Sequence, residues 1–175
     1  VAEFTDFECA RCAELTPVLD RLVRPGGDVR HVHLDFPLTQ HANAQRAAVF
    51  AREAHSVHGA EVFFRLGAAL RRPAAPLDDA GLTAAAVALG LDGASLLAGA
   101  RRGDRAPDVA ACVDEARRLG VRGIPTLYVN ARRLDGVRSP AELTAAVTQE
   151  RSRAARLVAA GIDAGRVWEL LCGAE

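Results

Sequence analysis

The sequence predicts an α/β protein in which a βαβ unit and a ββα unit are separated by a long helical insertion, and three observations carry that prediction. Apolar runs at residues 1–7 and around Val29, Val32 and Leu34 flank a helix-patterned stretch at 13–23. From Asn43 to about Arg102 the apolar positions recur at helical spacing. Beyond them, Leu127, Tyr128 and Val129 form a β-rich run that turns at Asn130-Ala131 and returns through Arg132 to Leu134.

Each element has a local reason. Residues 1–7 read as a strand, 13–23 as a helix, and Arg24-Pro25-Gly26-Gly27 as the turn that stops it. A second strand then completes a right-handed βαβ unit. Within the insertion, Ala47, Ala48, Ala51 and Ala54 begin one amphipathic face, and Val62, Phe63, Leu66 and Leu70 continue it. Residues 82–97 supply third and fourth segments, broken by Pro73, Pro76 and Gly90. Residues 109–119 form another helix, after which Gly123-Ile124-Pro125-Thr126 leads into the hairpin that Gly136 closes. Ser139 and Pro140 are the cap and first-turn residues of a helix running to about Ala160. The tail at 163–171 adds one short helix.

The bulk numbers exclude more than they assign. A chain of 175 residues, half of them hydrophobic, buries roughly 70% of its unfolded surface as one domain without crosslinks. The 22 Arg balance 22 Asp plus Glu, and no block of like charge marks a nucleic-acid or membrane surface. No apolar stretch approaches the roughly 20 residues that cross a bilayer, so direct membrane insertion is not expected. With no initiator Met and a start inside a strand, the chain reads as a processed or excised piece. Its four cysteines allow three complete pairings.

Two of those cysteines form the most telling motif. Cys9-Ala10-Arg11-Cys12 stands where a strand hands over to a helix, at the carboxyl end of the strand, where open α/β sheets place their sites. Unpaired N–H groups at a helix start favour a thiolate on Cys9. A structural staple is the bland alternative, but closing so short a loop stabilises a fold by only about 2 kcal/mol, against roughly 4 for a bridge from Cys112 to Cys172. A zinc half-site would need a second clustered pair, which neither the other cysteines nor the histidines provide, so no metal is expected.

Three stretches together resemble the DsbA-like thiol:disulfide oxidoreductases of the thioredoxin superfamily, over about residues 1–147. They are Glu3-Phe4-Thr5-Asp6-Phe7-Glu8-Cys9, then Asp35-Phe36-Pro37-Leu38 with His41-Ala42-Asn43-Ala44, and Gly120 to Asn130 around Ile124-Pro125-Thr126. The resemblance implies a thioredoxin fold whose parts lie at about 1–40 and 107–150. The insertion would occupy about 41–106 and a helical tail about 150–175, all in one domain of 1–175. It implies that Cys9 is the exposed nucleophile and Cys12 the buried resolving thiol. Glu3 matches an acidic residue that exchanges protons with the second thiol, its alternative being an outward-facing strand position. Pro125 matches a cis-proline facing the disulfide. Ile124 and Thr126, with Ala10 and Arg11, would then meet an extended substrate segment.

The departures bear on direction. Ala10 replaces a common Pro or Gly, and Arg11 stands where His or Tyr is frequent. A guanidinium beside Cys9 favours its thiolate and makes a stronger oxidant, whereas Ile124 is the residue of many thioredoxins, which reduce. Cys112 and Cys172 fall outside the catalytic pattern, with a second bridge and buried free thiols both open. His31 and His33 share a strand face, His55 and His58 a helical face, with packing as their default role. His41 is assigned to capping or packing.

The expectation is therefore an enzyme that exchanges disulfides with cysteine-containing proteins, periplasmic or otherwise outside a bacterial cytoplasm, with oxidation slightly preferred. No dissociable cofactor is needed, and a second redox protein must restore the Cys9/Cys12 pair after each turnover. The first rival is a redox or interaction module of a larger protein, such as the DsbA-like domains of some sodium/proton antiporters. Glutathione transferase or isomerase enzymes on the same fold form a second, disfavoured by Cys9 with Cys12. A metallochaperone is the third.

Overall fold

The computed structural model describes residues 1–23 and 27–167. Four short strands, β1 (Ala2–Thr5), β2 (Val32–Asp35), β3 (Thr126–Val129) and β4 (Arg132–Asp135), form one mixed sheet in the order β2-β1-β3-β4. β1 runs parallel to β2 and antiparallel to β3, which pairs antiparallel with β4. This is the thioredoxin-like α/β arrangement, with helices inserted between the second and third strands.

The first connection differs from the single helix expected at 13–23. It is divided into α1 (Ala10–Ala13) and α2 (Thr16–Leu22). Pro17 explains the break, because it has no N–H to give the Ala13 carbonyl and its ring crowds that position. The helix also begins earlier than expected, with Cys9 as its N-cap. The strands are shorter than the apolar runs: Val29 packs at the edge of a core cluster instead of extending β2. The turn expected over residues 24–27 lies mostly outside the described residues.

The insertion is helical throughout: α3 (Ala44–His58), α4 (Ala60–Leu70), α5 (Asp79–Val87) and α6 (Gly93–Arg102). Gly59 divides α3 from α4 at a φ of 84°, a backbone state that favours glycine. Asp78 and Asp92 cap the next two helices through Gly81 N and Ser95 N. The expected alanine face is buried with Phe50, Phe63, Leu66 and Leu82 in one cluster. α7 (Ala106–Arg118) starts three residues earlier than expected, with Pro107 in its first turn. α8 (Pro140–Ala159) is fixed by a capping box between Ser139 and Glu142. Of the expected tail helix, a 3-10 turn at Ala164–Arg166 is described, and residues 168–171 lie outside the described residues.

Register assigns the two sheet faces. Glu3 pairs with His33 on one side and Leu127 on the other, and residues opposite one another share a face. Leu127 packs with Leu15, Leu19 and Leu143, so the Glu3 face is the one α2 and α8 cover. Phe4 points the other way, packed with Ala116 and Val121 and edge-on to Phe36 and Tyr128. Among the described residues, no helix is long and apolar enough to cross a membrane.

Candidate active site

β1 ends at Thr5, and the next three residues turn the chain onto α1. A buried carboxylate organises that turn: Asp6 Oδ1 accepts from Glu8 N at 3.0 Å, while Oδ2 accepts from Leu38 N at 3.1 Å and meets His41 Nδ1 at 2.7 Å. Glu8 Oε2 accepts from Asn43 N at 2.7 Å, at the start of α3. The loop before the thiols is thereby tied to the start of the insertion by charge-assisted bonds.

Cys9 and Cys12 are joined in a disulfide, with their Cα atoms 5.2 Å apart. Cys12 N donates to Cys9 Sγ at 3.1 Å. In the dithiol state that donor faces a Cys9 thiolate and favours it. Because α1 is only one turn long, this local N–H replaces the longer helix the sequence predicted as the source of that effect. Cys12 has no exposure and Cys9 retains 6%, less than "exposed nucleophile" implied. The loop after α4 covers part of it. Cys9 still opens into a groove of about 320 Å³ shared with Phe7, Ala13, Leu70, Arg71 and Pro73. Ala10 lines it too, and both Ala10 and Arg11 are exposed.

Glu3 is 1% exposed, so its outward-facing alternative does not hold. Burial disfavours its charge, but a hydrogen bond with His31 at 3.2 Å and the positive field of Arg71 hold its carboxyl below the ordinary range. That bond uses Oε2; Oε1 has no partner among the described residues.

A buried polar belt continues along the same face. Arg71 Nη2 donates to His33 Nδ1 at 3.1 Å and Thr5 Oγ1 at 3.4 Å. Since Arg only donates, His33 Nδ1 is an acceptor and Nε2–H donates to Asp35 Oδ1 at 2.9 Å. Burial pushes the His33 imidazole below its ordinary value, against the pull of Asp35 and with the help of Arg71. Burial opposes the Asp35 charge too, but His33 and Arg52, whose Nε is 2.5 Å from Oδ2, keep it low. His33 also stacks on Phe7, and the Arg71 guanidinium lies over that same Phe7 ring, 5.0 Å from its centroid.

The Ile124–Pro125 bond is cis. Antiparallel pairing of Phe4 with Thr126 brings the start of β3 to the end of β1, so Pro125 and the disulfide share one end of the sheet. Gly136 N donates to Pro125 O at 2.8 Å, and Thr126 Oγ1 donates to Gly123 O at the same distance. The backbone N–H and C=O of Ile124 have no partner among the described residues, which leaves them open to an added strand. Thr126 is buried and braces the loop from beneath.

Sequence reasoning named Cys9, Cys12, Glu3, Ile124 and Pro125 but gave no role to Asp6, Glu8 or Arg71. An aspartate closing a strand before a turn was the available signal for Asp6. Nothing local marks Arg71, which meets His33 across 38 positions. Cys112 is a free thiol whose pKa burial raises, with Arg52 Nη2 at 3.6 Å; Cys172, its suggested bridge partner, lies outside the described residues. Among the described residues no cluster of His, Cys, Asp and Glu is arranged to hold a metal.

A thioredoxin family model matches residues 1–149. The sodium/proton antiporter NhaA 1 of Salinispora arenicola is 38% identical over 152 residues, which are 85% of this chain and 22% of the antiporter. The chain thus spans about a fifth of the curated relatives it matches. DsbA2 of Pseudomonas aeruginosa is 28% identical, with a TM-score of 0.70 over 83% of this chain and 85% of its own. A thioredoxin-like oxidoreductase of Silicibacter pomeroyi has a TM-score of 0.75 over 86% of this chain and 85% of its own; at 23% identity it bears on the fold alone.

Proposed function

The chain belongs to the thioredoxin family, with the helical insertion of its DsbA-like members, and from that premise we propose that it oxidises dithiols in cysteine-containing proteins. The general chemistry, thiol–disulfide exchange, follows from a disulfide in which only one sulfur reaches a surface groove. That asymmetry is the observation carrying the reading. A substrate thiolate attacks Cys9 Sγ, the Cys9–Cys12 bond breaks, and its electron pair leaves on Cys12, which takes up a proton. A second substrate thiolate then attacks the substrate sulfur of the mixed disulfide and releases Cys9 as thiolate. The substrate leaves oxidised by two electrons, and a separate redox protein returns the Cys9/Cys12 pair to the disulfide.

Glu3 is assigned to proton exchange with Cys12, and Ile124 and Pro125 to holding the substrate as an added strand, with Thr126, expected to meet it, bracing that loop from within and Ala10 and Arg11 at its border. The oxidative direction is supported by what would stabilise reduced Cys9, the Cys12 N–H at its sulfur, and by the positive charge that Arg11 brings to the motif. A disulfide whose reduced form is stabilised is the stronger electron acceptor. A setting outside the cytoplasm suits this activity, because disulfides form and persist in oxidising compartments.

Cys9→Ser abolishes turnover of a reduced test protein, whereas Cys12→Ser accumulates mixed disulfides visible on non-reducing gels. Full turnover by the Cys9 variant refutes the assignment. Direction is read from the reduction potential: near about −120 mV for an oxidant and about −270 mV for a reductant.

A second reading, a redox module within a larger polypeptide, is favoured by the match to about a fifth of two antiporters. The chemistry of the site is the same in either case, and the full-length reading frame distinguishes them.

A further inference from the structure

The orphaned oxygen of Glu3 raises a question that the carboxylate alone does not answer. A group nine-tenths buried that accepts a proton from Cys12 in each cycle must also return it to solvent, or it stops after one turnover. The groups facing it are His31 and His33 from β2 and its approach, Arg71 from the end of α4, and apolar Leu127 from β3. Arg71 does not give up a proton, and His33 has both ring nitrogens engaged by Arg71 and Asp35. His31 is different. Its Nε2 meets Glu3 Oε2, its Nδ1 has no protein partner among the described residues, and its side chain keeps 11% exposure beside the partly exposed ring of Phe64, at a centroid distance of 5.1 Å.

We propose that His31 is a proton relay joining the buried Glu3 carboxylate to solvent, with Glu3 Oε1 serving the thiol side and Oε2 the imidazole side. This rests on the reading of Glu3 as the proton partner of Cys12. When a mixed disulfide on Cys9 is resolved, the Cys12 thiol gives its proton to the Glu3 carboxylate. The Cys12 thiolate attacks Cys9 Sγ, the bond from Cys9 to the client sulfur breaks, and the client leaves as thiolate. The neutral carboxyl passes its proton to Nε2 of a neutral His31, and the imidazolium releases one from Nδ1 to water, restoring the carboxylate. Rotation of the part-exposed ring then turns Nε2–H to water, and exchange there returns the hydrogen to Nδ1 before the next transfer. In the opposite direction the same path delivers a proton to Cys12. A histidine suits this work because its two nitrogens can take and give protons on opposite edges of one ring.

The relay is tested on the reduced 175-residue chain with oxidised glutathione as the disulfide, following decay of the Cys9–glutathione adduct by acid quench and mass spectrometry. Glu3→Gln and His31→Gln each slow that decay by about a hundredfold or more, at the lower edge of what acid–base catalysis supplies. His31→Ala is equally slow and is accelerated by added imidazole in proportion to its concentration, while the wild-type rate does not respond to imidazole. A slow Glu3→Gln beside a wild-type rate in His31→Gln overturns the relay and leaves the Glu3 reading standing; wild-type rates in both variants overturn both. A slow His31→Ala that imidazole does not rescue reduces His31 to a structural partner and also overturns the relay. Should neither His31 variant fold, an imidazole-accelerated wild-type rate overturns it, and an unresponsive one upholds an internal path.

Discussion

Asp35 shows what a single buried side chain settles in this protein. It is 1% exposed, accepts from His33 and pairs with Arg52, whose other nitrogen reaches the His33 carbonyl. That pairing joins the last residue of β2 to the middle of α3, so the sheet and the insertion are held at one charged point. Removing one partner of a buried pair strands the other: Arg52→Leu should cost about 3–5 kcal/mol, measured by urea denaturation. A cost near that of an exposed pair, under about 1 kcal/mol, would show that solvent reaches Asp35 once Arg52 is gone. Such a residue is nearly silent in the sequence. Asp35 was legible only as part of a family stretch, and its partner lies 17 positions away on a different element.

Elements in this chain are set largely by their ends. α8 carries the Ser139–Glu142 box, with Glu142 N donating to Ser139 Oγ at 3.2 Å and Ser139 N donating to Glu142 Oε2 at 2.9 Å. Ser139→Ala should lower stability by about 1 kcal/mol, read as a shift in denaturation midpoint without a change in slope. α5 is set by contact instead. A Cβ on Gly81 would run into the Pro76 carbonyl oxygen, a backbone atom that cannot swing away. Gly81→Ala therefore reverses its normal helix-favouring sign and costs about 1–3 kcal/mol; a stabilised variant would show that the 76–81 turn yields. Ser139 was read correctly from sequence because capping is local. The break between α1 and α2 was not, although Pro17 was present to announce it.

At the scale of the whole molecule, pH and redox state should move stability in stated directions. Folding holds His33 below its ordinary 6.5 and Asp35 below its ordinary 3.8. In both cases the unfolded chain binds protons more readily, so stability is present above the unfolded value and is lost as pH falls. The urea midpoint should therefore decline first below about pH 6.5 and again below about pH 4. His33→Gln, which can still accept from Arg71 and donate to Asp35, should flatten the upper part; an unchanged slope there would mean that other groups dominate. The proposed oxidative direction makes a parallel demand. If Cys9 is stabilised as a thiolate, the dithiol protein melts above the disulfide protein at neutral pH, and the reverse order identifies a reductant.

The sequence by itself determined the α/β class, the two halves around a helical insertion, the thiol pair at a strand end and the loop around Ile124-Pro125. The class, the halves and the thiol pair are written in spacing, capping and turn chemistry, which act over a few residues; the Ile124-Pro125 loop was legible through the family resemblance. Only the tertiary structure decided that Glu3 faces inward with one oxygen unpartnered, that His31 connects it toward solvent, and that Asp6, Arg71 and Arg52 fix the site from outside the motif. These depend on register and on contacts between distant segments. A one-residue change in strand phase would reverse which face each side chain takes, and β1, with Glu3, Phe4 and Thr5 all buried, lacks the inside–outside alternation that would announce that phase.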